Sequence, residues 1–345
     1  MQSKEKVFVG IDFSKEKFDA CVLLYDGGVM GNAVFENNKK GYARLLAWVR
    51  KTSELGRDYK LDEVLFCGEN TGMLSLGLSE FLFVKGGRMW LENAYTIKLG
   101  SGLRRDKSDK ADAETIAYYA YRFHDCARKV EFKPESLDMK KLRSLYEFRD
   151  RTMRERVALG NQINSQSFDF SPEVRRRSQK RHKALCEEET VLEHEIESHM
   201  KDSAEFSDNY RLLVSFPGIG LLSAALLIIH TSNFQRFTDA RKFSCYGGMA
   251  PFGKQSGTSI HTRPHVIHLG HKKVKAALVQ TARISMIHNS IIRDYALHLR
   301  EMGKPEGVII NNVKNKILHI VFKMIESKTP WDRNYQSLHH GGSDK

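Results

Sequence analysis

Residues 6–24, KVFVGIDFSKEKFDACVLL, limit the possible folds more tightly than any other stretch of the chain. Val7, Phe8, Val9 and Ile11 make a near-continuous apolar run, and residues 18–24 make a second after a short polar turn. Such runs, bounded by turn residues, read as strands. Asp12 interrupts the first of them. Strands disfavour aspartate, and burying an unpaired carboxylate is costly, so Asp12 calls for a partner or a metal.

The pattern continues in kind. GNAVFEN reads as a third strand after the turn at Gly27-Gly28, and KGYARLLAWVRK has helical apolar spacing. DEVLFCGEN is a short strand ending in Gly68-Glu69-Asn70. TGMLSLGLSEFLFVKGG is a helix closed by Gly86-Gly87, RMWLENA is another strand, and residues 109–127 form a helix. A strand meander followed by alternating strands and helices implies an α/β domain with a mixed sheet, placed at residues 1–128. Lys133-Pro134 marks a boundary. Residues 129–205 then read as two long helices, a helical hairpin or coiled coil, interrupted by FDFSPEVRRRSQ. Leu185, Leu192, Ile196 and Met200 form one apolar stripe on the second helix. Residues 206–335 read as mainly α. They hold a helix–turn–helix at YRLLVSFPGIGLLSAALLIIH, a Gly-rich loop in SCYGGMAPFGKQSGTS and two amphipathic helices. Residues 336–345 read as a disordered tail.

Charge narrows the partner. The formal net charge is +13, and residues 206–345 carry 19 lysines and arginines against 8 acids. That balance points to a polyanion, nucleic acid before membrane. No apolar run reaches the roughly 20 residues that span a bilayer. The N-terminus enters a strand pattern directly, unlike a signal peptide. Cys21, Cys67, Cys126, Cys186 and Cys245 are scattered and odd in number, which fits a reducing cytoplasm rather than a disulfide framework or a CxxC zinc site.

Glu69 ends a strand, and Asp109 and Asp112 stand three apart at a helix start, so they share a face. Together with Asp12 they make a workable oxygen-ligand set for two Mg²⁺ or Mn²⁺ ions about 4 Å apart, suited to phosphodiester chemistry. On spacing alone, capping and solvated loop acids remain the competing explanation. Asp106 fits that ordinary role, while Arg104 and Arg105 beside it would steer a phosphate backbone. The Pro217-Gly218-Ile219-Gly220 turn is either a helix-hairpin-helix, with the N–H groups of Gly218 and Gly220 on a phosphate, or an ordinary αα-turn. Arg149, Arg151, Arg154, Arg156 and Arg175, Arg176, Arg177 suit a nucleic-acid backbone or a solvated helix face. His261, His265, His268 and His271 lack a regular face and an acid or cysteine to complete a zinc set; they read as surface or phosphate-contacting residues.

VGIDFSKEKFDACV, CGENTG and DKSDKADAETIA together resemble the DEDD transposases and Piv-like recombinases of bacterial insertion sequences. The resemblance implies a RuvC-like domain of the RNase H superfamily, with Asp12, Glu69, Asp109 and Asp112 as the metal-binding tetrad. FSCYGGMAPFGKQSGTS resembles the same family's transposase-domain signature, which places Ser256 at the catalytic serine, beside Lys254. Lys272, Lys273 and Lys275 stand where the family has arginines. The charge is kept, but bidentate phosphate contacts are lost. The resemblance further implies double-stranded DNA as substrate, a structured guide RNA, and a homo-oligomer, dimer or tetramer, assembled through the middle helices. A RuvC-like structure-selective endonuclease using the acids alone, and a non-catalytic nucleic-acid-binding protein, are the alternatives.

Overall fold

β1 (Val7–Phe13), β2 (Lys17–Leu24) and β3 (Val29–Glu36) form an antiparallel meander, as the apolar runs predict. In this computed structural model, residues 6–53, 60–101, 109–126, 131–165, 171–237, 239–252, 255–256, 260–261, 265–266 and 270–332 are described, with the backbone alone at Asp109, Phe252, Gln255, Ser256, Ile260, His261 and His265. The chain packs as two units, Met1–Glu135 and Ser136–Lys345.

In the first unit, α1 (Lys39–Thr52) follows the meander, and the Asn38 side chain caps it by accepting from the N–H groups of Lys40 and Gly41. β4 (Val64–Glu69), α2 (Met73–Val84), β5 (Arg88–Glu92), α3 (Ala94–Ser101) and α4 (Asp109–Phe123) complete it. The sheet order is β3-β2-β1-β4-β5, with β4 and β5 parallel to β1. The mixed sheet is therefore as expected. α3 was not foreseen, and α4 stops at Phe123, short of the predicted end.

Strand alternation sorts side chains to the two faces. Val7, Val9, Ile11, Val64, Phe66 and Met89 pack on the side of α1 and α2. Phe8, Cys21, Leu65, Cys67 and Trp90 pack against α4 through Ala113, Ile116, Ala117 and Ala120. Gly10 lets α4 lie directly on β1, since any Cβ there would meet the Ala113 carbonyl oxygen and the Ala117 nitrogen, each at 2.2 Å.

In the second unit, α5 (Leu137–Asn164) and α6 (Pro172–Asp202) form an antiparallel hairpin. The start of α5 meets the end of α6, where His199 bonds the Asp138 carbonyl and Ser203 donates to the Asp138 carboxylate. α6 begins at Pro172, capped by Ser171, well before the apolar stripe that marked it in the sequence, so the interruption is shorter than predicted. α7 (Ser207–Ser215), α8 (Leu221–Thr231), α9 (Ala240–Tyr246), α10 (Lys272–His288), α11 (Ser290–Glu301) and α12 (Glu306–Ser327) follow. Met139, Leu142, Ile196 and Met200 of the hairpin share one core with Phe206, Phe216, Ile228, Phe243 and Val321.

The segment expected to be a Gly-rich loop carries, among its described residues, two short antiparallel strand pairs. β6 (Pro251–Phe252) pairs antiparallel with β9 (His265–Val266), and β7 (Gln255–Ser256) with β8 (Ile260–His261). Gly270 closes its base, because a Cβ there would lie 2.4 Å from the Gly248 Cα. Among the described residues no helix is long and apolar enough to cross a membrane.

Candidate active site

The acids of the first unit lie in a row across the sheet. β1 and β4 run parallel with Ile11 opposite Gly68, so Asp12 and Glu69 are the next residues of the pair. Asp12 faces Asp19 on β2, and Glu69 faces Glu92 on β5. All four alternate onto the face that carries Phe8, Cys21, Cys67 and Trp90, the side covered by α4. Neighbouring strands are about 4.8 Å apart, so the row holds like charges one strand spacing from each other.

α4 starts above this row. Its first residue is Asp109, of which only the backbone is described, and Asp112 is exposed one turn later. Burial raises the Glu69 carboxyl above its usual pKa, and the negative charge of Asp112 raises it further. The structure therefore brings Asp12, Glu69 and Asp112 to the same end of the sheet. Among the described residues no three of His, Cys, Asp and Glu converge tightly enough to hold a metal ion. The donor set nonetheless suits a hard divalent cation. It is all carboxylate, and two of its members repel each other across a partly dry gap.

Asp19 and Glu92 were missed in the sequence. Asp19 is buried and accepts from Lys17 Nζ at 3.5 Å. Glu92 Oε1 accepts from the Asn93 N–H at 2.7 Å, and Oε2 from the Tyr119 hydroxyl at 3.4 Å. Burial and the Glu92 charge push the Tyr119 phenol upward. A signal was available: strand β5 ends in Glu92-Asn93 as β4 ends in Glu69-Asn70.

The expected nucleic-acid contacts divide. Arg104, Arg105, Asp106 and Lys254 lie outside the described residues, as do His268 and the 336–345 tail. Ser256 of β7 pairs with Ile260 of β8; its side chain is not described. Arg149 faces α6. Its guanidinium turns into the hairpin, with 16% of the side chain exposed, and pairs with Glu189 and Glu193 of α6. Arg156 joins the same Glu189. Two arginines matched by facing glutamates serve the hairpin, because opening them to a phosphate would strand a nearly buried carboxylate. Arg154 is exposed and pairs with Asp150, which also accepts from Lys273 Nζ at 2.8 Å. Lys272 is exposed and Lys275 half-buried.

Gly218 is packed against α10. Its φ is +109°, and a Cβ would fall 2.2 Å from Ser285 Oγ on α10. Ser285 Oγ also donates to the Pro217 carbonyl at 2.8 Å. The glycine is thus required for close packing between the turn and a helix. Gly220 is exposed, with open space around it, at the start of α8.

Comparison with known proteins gives concordant matches. A DEDD transposase family model matches residues 9–166, and the model described as "Transposase IS116/IS110/IS902 family" matches residues 210–297. The pilin gene-inverting protein of Moraxella bovis is 25% identical over 334 residues, covering 95% of this chain and 98% of that protein. Its Moraxella lacunata counterpart matches to the same extent. The transposase of insertion sequence element IS1328 from Yersinia enterocolitica is 24% identical over 53% of this chain and 60% of its own length. With both family models matched in order and full-length similarity to a DNA-inverting protein, the chain belongs to the IS110-type DEDD transposases, enzymes of DNA transposition and recombination.

Proposed function

We propose that this chain breaks and rejoins DNA strands, with Asp12, Glu69, Asp109 and Asp112 as ligands of two Mg²⁺ or Mn²⁺ ions and Ser256 as the nucleophile. The observation that carries the reading is the alignment of Asp12 and Glu69 on adjacent parallel strands beneath the start of α4, with Glu69 perturbed by Asp112. The mixed five-stranded sheet with these acids at one end supports a RuvC-like, RNase H-type identity for the first unit. Bound there, the ions supply Lewis-acid stabilisation of charge on the reacting phosphate.

Ser256 Oγ gives up its proton and attacks phosphorus. The P–O bond to the departing strand breaks, and that oxygen takes up a proton. One phosphodiester is exchanged for a phosphoserine ester, which the returning hydroxyl can reverse without an energy source. An RNA from the element guides the choice of DNA, and the enzyme acts as a dimer or tetramer, since joining ends requires at least two active sites. The exposed Arg151, Arg154, Arg175, Arg176 and Arg177 support backbone binding along the hairpin.

The test is covalent trapping with the element's junction DNA, its flanking transcript and Mg²⁺. A denaturant-stable adduct lost in both Ser256→Ala and Asp12→Ala is expected. Metal-dependent cutting that survives Ser256→Ala without any adduct would replace this reading with a hydrolytic nuclease.

A further inference from the structure

A group of imidazoles and cations gathers in the second unit where α8, α9 and α10 meet. His230 lies in the last turn of α8, Tyr246 ends α9, and His271 caps α10. The His230 and His271 rings are 4.1 Å apart, and Tyr246 stacks on His271 at 5.6 Å with an 18° interplanar angle. The Arg236 guanidinium sits over Tyr246 at 5.2 Å. Arg143 reaches the neighbouring Ile229 carbonyl from α5, and Lys273 stands in the first turn of α10.

The hydrogen-bond directions are determined by what each group can do. The Tyr246 hydroxyl lies beside His230 Nδ1, and between a phenol and a neutral imidazole the phenol O–H is the stronger donor. With the phenol donating across that 2.9 Å, His230 Nδ1 is the acceptor. His230 therefore carries its hydrogen on Nε2. His271 Nδ1 accepts from the Val274 N–H as a helix cap, so His271 also carries its hydrogen on Nε2. Among the described residues neither Nε2–H has a hydrogen-bond acceptor. Two oriented donors without acceptors, flanked by guanidinium and ammonium groups, match the oxygens of one phosphate.

We propose that His230, His271 and Arg236 form a seat for a single phosphodiester group of the DNA backbone, at the root of the segment that carries Ser256. The position follows from the chain: the His271 N–H donates to the Tyr246 carbonyl at 3.0 Å, and Gly270 beside it packs on Gly248. The electrostatics agree. His230 is pushed down to about 3 by burial, then by His271, Arg143, Arg236 and Lys273; His271 is lowered by burial, Lys273 and Arg143. Asp150 faces Lys273 and is the acid paired with this group. An arriving anion is therefore met by neutral N–H donors in a cationic surround. The seat rests on the DNA reading above only for the identity of its ligand.

The experiment uses the full chain with ¹³Cε1-labelled histidine, titrated with inorganic phosphate, a short DNA duplex and an RNA duplex of the same sequence. The expected result is saturable movement of the His230 and His271 resonances with DNA and an upward shift of their titration midpoints. Arg236→Gln changes an exposed side chain and should weaken DNA binding about tenfold and reduce the salt slope by about one. Tyr246→Phe keeps the ring stack but should release the His230 tautomer, visible in its nitrogen shifts. DNA binding that leaves both imidazoles unmoved would sink the seat alone. Movement with inorganic phosphate and no DNA binding would keep an anion seat and sink the DNA reading. A response to RNA and not DNA would overturn the ligand assignment.

Discussion

Gly10→Ala places the β1–α4 contact under direct test. The added Cβ would lie 2.2 Å from both the Ala113 carbonyl oxygen and the Ala117 nitrogen, where ordinary contact begins near 3.4 Å. Both obstacles are helix backbone, so no rotamer change relieves them. α4 has to withdraw by roughly 1 Å, and overpacking of this kind costs about 1–3 kcal/mol, here at the upper end. A loss of about 3 kcal/mol corresponds to roughly 10²-fold more frequent opening of the helix. Hydrogen exchange of α4 amides reads that directly. Because α4 carries the proposed metal ligands Asp109 and Asp112, that proposal predicts that strand cleavage falls by roughly 10² as well, the usual consequence of misplacing a reacting group by about 1 Å. Gly31→Ala is the control, since its Cβ would meet Thr52 Cγ2 at an ordinary 3.4 Å. Unchanged exchange in α4 and full activity in Gly10→Ala would refute the idea that this contact positions the acids.

Arg149→Ala should lower the thermal stability of the second unit by about 2 kcal/mol, through loss of its Glu189 and Glu193 pairs, while the salt slope of DNA binding stays unchanged. Gly218→Ala should cost at least about 2 kcal/mol, because it combines a positive φ with a clash against Ser285; denaturant midpoints check it. Lys314 is buried and its pKa falls to about 8, from burial and then from Lys275. The unfolded chain holds that proton more tightly, so stability is lowest below pH 8 and rises between pH 8 and 10.5. Lys314→Met should therefore stabilise the protein at pH 7 by about 2 kcal/mol and lose its advantage near pH 10.5, as paired thermal melts would show.

The first unit was readable where one physical rule dominates. Central strands are apolar on both faces, so β1 and β4 stand out, and so does a carboxylate set into one of them. The Asp109–Asp112 spacing is a helix-surface rule, and both positions fall in the first turn of α4. What escaped depends on partners distant in sequence. Glu92 gains meaning only from its parallel register with Glu69. Arg149 belongs to a basic face when α5 is viewed alone, and its true environment is set by acids on α6. Strands of two residues are too short to show alternation, so the segment read as a glycine loop. The His230–Tyr246–His271 group draws on three helices and has no local signature at all.

The acidic row has a consequence for the life of the chain before it is complete. Asp12 leaves the ribosome in the first strand, but its neighbour Glu69 arrives only after the β1–β4 crossover has been made, and the helix bearing Asp112 follows β5. A nascent chain displays isolated carboxylates without the row. The grouping comes into being late, as a product of tertiary closure, and no early fragment carries it. Synthesis itself thus supplies an interval in which the half-made chain lacks the assembled acids.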